Sequence, residues 1–230
     1  MRTARSKRPI LPVKLALIHT SPTLTPLFTE LCAKQIPEAV VFHMVDESLI
    51  RNTIEAGSLQ KVTTRRLISM VESAGMAGAD AVLVTCSSIG EAVTTAQQLF
   101  DFPVLRVDEA MAERAIACGR RIGVLATLRT TLVPTTDLVR RKGAGKNVEI
   151  VDHLCEGAFD AVMAGDTKTH DEIVSKALMN EMSGMDVVVL AQASMARVLG
   201  MMRPDALSMP VLSSPELAVQ RMAEVLRERA

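Results

Sequence analysis

Two short runs of this chain carry the residues best suited to chemistry, DAVLVTCSSIGEAV at 80–93 and DVVVLAQASMARV at 186–198. In each, an Asp leads a run of aliphatic residues that ends in small polar ones and passes into a helical pattern. At the seventh position the first run has Cys86 and the second has Gln192. A thiol that ends a strand beside a helix start is a candidate base or nucleophile, because the helix terminus favours the thiolate. An amide there donates and accepts hydrogen bonds but exchanges no proton at useful pH. Ser88 and Glu91 follow Cys86 in the spacing of a capping box, with Ser88 expected as the cap.

The elements that must hold these residues follow the alternation of short apolar runs and longer amphipathic ones expected of a parallel sheet covered by helices. Residues 13–19 read as a strand, and Thr25 with Pro26 opens a helix to about Lys34. A second strand over 38–45, a helix over about 58–77, and the strand 81–85 come next. A helix over about 89–100, a strand over 103–107 and a helix over about 110–118 complete the set. The order then begins again, with strands at 121–127, 148–154, 186–191 and 210–213. Matching landmarks are separated by 107 residues (Leu15 to Ile122), 109 (Glu47 to Glu156), 106 (Asp80 to Asp186) and 107 (Pro103 to Pro210). The pattern predicts an α/β fold of two pseudo-symmetric lobes from an internal duplication. Each lobe is a parallel four-stranded sheet flanked by helices, and the active site lies in the interlobe cleft.

Ligands of open parallel sheets bind outside the carboxyl ends of the strands. The residues there include His19, Thr20, Ser21, Glu47, Ser87, Ser88, Thr127, Arg129, Thr130, Glu156, Ala193 and Ser194. Hydroxyls dominate, and with the N–H groups of helix N-termini they suit a carboxylate, because donors and dipoles converge on an anion. His19 and Cys155 are strand-end residues that could touch a ligand. His43 and His153 fall within strands, and His170, in a polar stretch near a helix start, reads as a surface residue. Cys32 and Cys118 fall on helices. The KGAGKN run at 142–147 precedes a strand and lacks phosphate-loop spacing, so it reads as a surface turn. No His, Cys, Asp and Glu grouping has metal spacing, so no metal site is expected.

Composition narrows the partners. The chain has 230 residues and zero formal net charge, with no Trp or Tyr and five Phe. Neither a global field nor stacking platforms recruit nucleic acid. No apolar run approaches the roughly 20 residues of a membrane span. Four scattered cysteines suit free thiols in a reducing cytoplasm. Residues 1–12, with Arg2, Arg5, Lys7 and Arg8, read as a disordered basic tail. The expected partner is a small anionic substrate; a homodimer or higher homo-oligomer stays open.

With the repeat and Cys86 in hand, the chain resembles the aspartate/glutamate racemase superfamily, which includes hydantoin racemases, maleate isomerases and arylmalonate decarboxylases. The stretches AVLVTCSS (81–88), IGVLATLRTT (122–131) and VVVLAQASM (187–195) carry the likeness. The resemblance implies a cofactor- and metal-independent enzyme working between two lobes. It matches Cys86 to the first-lobe catalytic Cys and puts Gln192 in place of the second. Thr20, Ser21, Ser87, Ser88, Thr127 to Thr131, Ala193 and Ser194 match segments that hold the substrate carboxylate. It also implies that the last strand and C-terminal helix return to the first lobe, giving lobes of 13–110 plus 212–230 and 111–211.

A racemase needs an acid and a base on opposite faces of the α-carbon, and Gln192 cannot be either. His19, Cys155 or a water could replace the missing acid. Alternatively, the cleft runs a one-thiol reaction, decarboxylation or alkene isomerisation, with Gln192 as an oxyanion donor. A non-catalytic carboxylate-binding protein is the reading of a different class. The leading expectation is a racemase/isomerase acting on a small carboxylate, amino acid or hydantoin-like, through Cys86.

Overall fold

The computed structural model describes residues 13–203 and 206–229; the basic N-terminal run lies outside them. Among the described residues eight strands form two parallel sheets. The first holds β1 (Lys14–His19), β2 (Val40–Val45), β3 (Ala81–Val84) and β4 (Val104–Arg106) in the order β2-β1-β3-β4. The second holds β5 (Arg121–Ala126), β6 (Glu149–Leu154), β7 (Val187–Leu190) and β8 (Val211–Ser213) in the order β6-β5-β7-β8. The two lobes thus share one topology.

The central strands are buried on both faces, so they read as unbroken apolar runs. Alternate residues serve opposite layers. In the first lobe Ala16, Ile18, Val82 and Val84 pack toward α3 (Lys61–Met76) and α4 (Gly90–Ala96). Leu15, Leu17, Ala81 and Leu83 face α1 (Thr25–Gln35) and α9 (Ser214–Arg229). In the second lobe Ile122, Val124, Val187 and Val189 pack toward α5 (Glu109–Cys118) and α6 (Arg129–Lys142). Leu125, Val188 and Leu190 face α8 (Thr167–Asn180), which follows α7 (Ala158–Met163).

The Asp that opens each signature run does the same work twice. Asp80 Oδ2 accepts from the Lys14 N–H at 2.8 Å, and Asp186 Oδ2 accepts from the Arg121 N–H at 2.9 Å and the Arg120 N–H at 2.7 Å. Each carboxylate ties the start of the third strand to the start of the first and so sets their register.

Two findings revise the expected organisation. The segment 46–57 contains α2 (Glu47–Glu55), capped by Asp46, whose Oδ1 accepts from the Ser48 N–H at 3.0 Å. The final strand does not return to the first lobe: β8 pairs with β7 through Leu190↔Ser213. Only α9 returns, burying Ala218, Val219 and Met222 against the first sheet. Conversely, α5 follows β4 of the first sheet but packs in the second core. The lobes exchange one helix each. Among the described residues no helix is long and apolar enough to cross a membrane.

Candidate active site

Parallel pairing brings the ends of β1 and β3 side by side, with Ile18 beside Val84. Thr20 and Cys86, the residues just beyond, are therefore neighbours, as are Thr127 and Gln192 beyond β5 and β7. Cys86 is partly buried, and Thr20, Ser87 and Ser88 are buried. The hydroxyls of Thr20 and Ser88 and the N–H groups of Ser88 and Ile89 are the donors beside the Cys86 sulfur, and their influence favours its thiolate. Burial acts against them and prevails, so the thiol pKa lies above its ordinary value. The helix-terminus expectation of a lowered value is therefore corrected: removal from water outweighs four donors.

The expected capping box does not form. Cys86 occupies the N-cap of a short 3₁₀ turn, Ser87–Ile89, and no side chain caps α4. The Ser88 hydroxyl instead lies 2.6 Å from Thr131 Oγ1 of the other lobe. If Ser88 donates to the sulfur, Thr131 must donate to Ser88, giving a hydrogen-bond chain that crosses the lobe junction. Glu91 faces Arg141 of α6 at 3.7 Å.

At the equivalent place in the second lobe, Gln192 Oε1 accepts from the Thr127 N–H at 2.6 Å and from the Thr127 hydroxyl at 3.0 Å. A backbone N–H can only donate, so the amide oxygen is fixed there and its NH₂ group is the end offered to a ligand. Thr130, in the first turn of α6, has a buried hydroxyl with no partner among the described residues. Pro134 has no N–H for the Thr130 carbonyl. Ala193 is partly buried, and Ser194 is exposed. Ser21 is spent locally, accepting from Thr23 as the cap of a turn.

Other expected residues lie elsewhere. His19 is fully buried. Its Nδ1 is 2.8 Å from Thr85 Oγ1 and its Nε2 is 2.9 Å from His43 Nδ1, so both nitrogens are occupied. Burial and the neighbouring His43 lower its pKa to about 4. Glu47 is exposed at the start of α2. Arg129, Cys155 and Glu156 line a hollow of about 600 Å³ beside the edge strand β6, and neither Cys86 nor Gln192 lines it. Burial pushes the Cys155 thiol up to about 12, which makes it a poor stand-in acid. Among the described residues no group of three or more His, Cys, Asp or Glu is placed to hold a metal.

Two features escaped sequence reasoning. His170, read as a surface residue, is fully buried. Arg106 ends β4 and forms a buried ion pair with Asp108 at 2.7 Å; its guanidinium packs so closely on Gly90 that a Cβ there would lie 2.4 Å from Nη2. A charged residue inside a strand, two positions before an Asp, was the available signal.

The sequence profile described as Asp/Glu/Hydantoin racemase matches residues 16–222. The chain belongs to that family. Solved structures of similar fold include a glutamate racemase from Bacillus anthracis, 18% identical with a TM-score of 0.73, covering 95% of this chain and 83% of that one. An allantoin racemase from Klebsiella pneumoniae is 17% identical, with a TM-score of 0.70 and coverage of 94% and 88%. An aspartate racemase from Picrophilus torridus is 15% identical, with a TM-score of 0.68 and coverage of 92% and 94%. No curated protein sequence matches the chain. At these identities the solved structures establish a common fold, two parallel four-stranded sheets flanked by helices. Within the racemase family frame, Cys86 and Gln192 stand at matching strand ends of the two lobes.

Proposed function

We propose that this member of the racemase family is an isomerase acting on a small carboxylate, amino acid or hydantoin-like, at the carbon next to the carboxylate or carbonyl. The observation that carries the reading is the Cys86 sulfur, surrounded by hydroxyl and N–H donors at the junction of the lobes. As the thiolate, Cys86 takes the α-proton; the resulting negative charge spreads onto the carboxylate oxygens. Hydroxyls at Thr20, Ser88 and Thr130 and N–H groups at the strand ends are the donors suited to that charge. The Gln192 NH₂ group adds a donor from the second lobe. Since Gln192 transfers no proton, reprotonation comes from Cys86 itself or from water, and the reaction is asymmetric between the two faces.

The same asymmetry favours a second reading, a cofactor-free decarboxylase of a malonate-like acid. Loss of carbon dioxide generates the enediolate without a base, and one thiol then suffices to protonate it. Incubation in deuterated water with aspartate, glutamate, allantoin, maleate and phenylmalonate separates these outcomes. Deuterium at the α-carbon with loss of chirality supports the isomerase, and carbon dioxide release supports the decarboxylase. Binding with neither, unchanged in Cys86→Ser, contradicts both and leaves a carboxylate-binding protein.

A further inference from the structure

The second lobe contains a charged cluster that the proposed reaction leaves unused. His170 lies in the first turn of α8 and is fully buried. Its Nδ1 is 2.8 Å from Asp171 Oδ1, and Arg197 Nη2 donates to the same oxygen at 2.7 Å and to the Thr167 carbonyl at 2.9 Å. Burial acts to raise the Asp171 pKa, but the bonds from His170 and Arg197, together with the Arg197 charge, hold it below the usual carboxylate range. His170 Nε2 is buried without a hydrogen-bond partner among the described residues. Because α8 leads into a parallel strand, it runs back along the sheet, and its first turn lies at the carboxyl end, where Gln192 sits.

Arg197 belongs to a 3₁₀ helix, Ala193–Gly200, whose N-cap is Gln192. Eight residues is long for this kind of helix, which seldom exceeds three or four because its hydrogen bonds are poorly aligned. The matching segment of the first lobe soon becomes the α-helix α4. A weakly self-supporting helix must take its position from outside. Met195 and Val198 anchor it from below, and Arg197 is its polar tie to α8.

We propose that His170, Asp171 and Arg197 are positioning residues that fix this 3₁₀ helix. They thereby set the Gln192 amide and the N–H groups of Ala193 and Ser194 against a carboxylate held opposite Cys86. The proposal rests on the functional reading above. His170 steadies the carboxylate from the dry side and Arg197 grips it from the solvent side. Arg197 is 42% exposed in its side chain, so removing it frees the helix without opening the core.

Alkylation of Cys86 by iodoacetate and by iodoacetamide tests this directly. In both, the thiolate forms a C–S bond to the methylene carbon as iodide leaves, but only iodoacetate carries a carboxylate for the site to hold. Rates are read at mildly alkaline pH on the Cys86 peptide, separately from the exposed Cys118. The wild type should favour iodoacetate. Arg197→Ala should lower that preference about tenfold, leave the iodoacetamide rate unchanged, and lose hydrogen-exchange protection over 193–200. Arg197→Lys, which can still reach Asp171, should restore part of the preference.

A variant that melts lower but keeps the full iodoacetate preference would make the cluster merely structural and overturn the proposal. If the wild type itself shows no preference, the reading of Cys86 as facing a bound carboxylate fails instead. Exchange over 193–200 then decides the cluster separately, and unchanged protection in Arg197→Ala overturns its positioning role.

Discussion

At Cys86 burial and the neighbouring donors oppose each other, and the balance has measurable consequences. With its pKa above the ordinary thiol value, the thiolate population and the alkylation rate should still be climbing at pH values where an exposed thiol, near 8.5, levels off. Ser88→Ala removes one donor and the tie to Thr131. The climb should move further toward alkaline pH, slowing neutral-pH alkylation by roughly threefold to tenfold; a plateau at lower pH than wild type contradicts the balance described. His19 gives a different pH effect. Its folded pKa of about 4 lies below the ordinary 6.5 of histidine, so the unfolded chain binds the extra proton more readily. The stabilisation is complete above about 6.5 and is lost as pH falls toward 4, by up to roughly 3 kcal/mol. Denaturant unfolding across that window should show the loss, and it should shrink in a folded His19→Gln variant. The thiol and the strand-end hydroxyls were legible in the sequence because residue type and strand order suffice to place them. The pKa direction was not, since it depends on how much water the fold removes.

Single elements show why some local signals misled. Ser88 and Glu91 have capping-box spacing, yet a partner from the other lobe takes the Ser88 hydroxyl. His170 sits among Asp, Lys and Thr in the chain, but helical periodicity turns it inward together with Val174 and Ala177. Both are tertiary facts that no local window contains. By contrast, Pro26 in the first turn of α1 follows from local backbone chemistry, although the N-cap is Leu24 and Thr25 is already the first helical residue. The start of α4 is set by space as much as by propensity. Gly90→Ala would drive a Cβ into the Arg106 guanidinium, which its buried pairing with Asp108 prevents from retreating. The substitution should cost about 1–3 kcal/mol, read as a lower denaturation midpoint. An unchanged midpoint would mean that Arg106 is free to move and that the pair does not anchor β4 against α4.

For the whole molecule, the repeat was visible as a near-constant spacing of landmarks, and the shared strand order of the two sheets matches it. The mutual exchange of α5 and α9 was only half visible, because packing partners across lobes leave no periodic trace. The exchange makes each core depend on a helix that follows the other lobe's last strand. The lobes should therefore unfold together, in one calorimetric transition whose van't Hoff and calorimetric enthalpies agree. Met222→Ala, at a fully buried position of α9, should lower that single transition by about 2–5 kcal/mol rather than split it in two. The proposed reaction would depend on the same assembly, with Cys86 at a strand end of one sheet and Gln192 at a strand end of the other. Its most direct test is α-deuterium incorporation in deuterated water, comparing wild type and Cys86→Ser on an acid that the wild type turns over. Wild type should exchange the α-proton, and folded Cys86→Ser should lose at least about a hundredfold in rate. Exchange at the wild-type rate in Cys86→Ser would contradict the assignment of proton transfer to this sulfur.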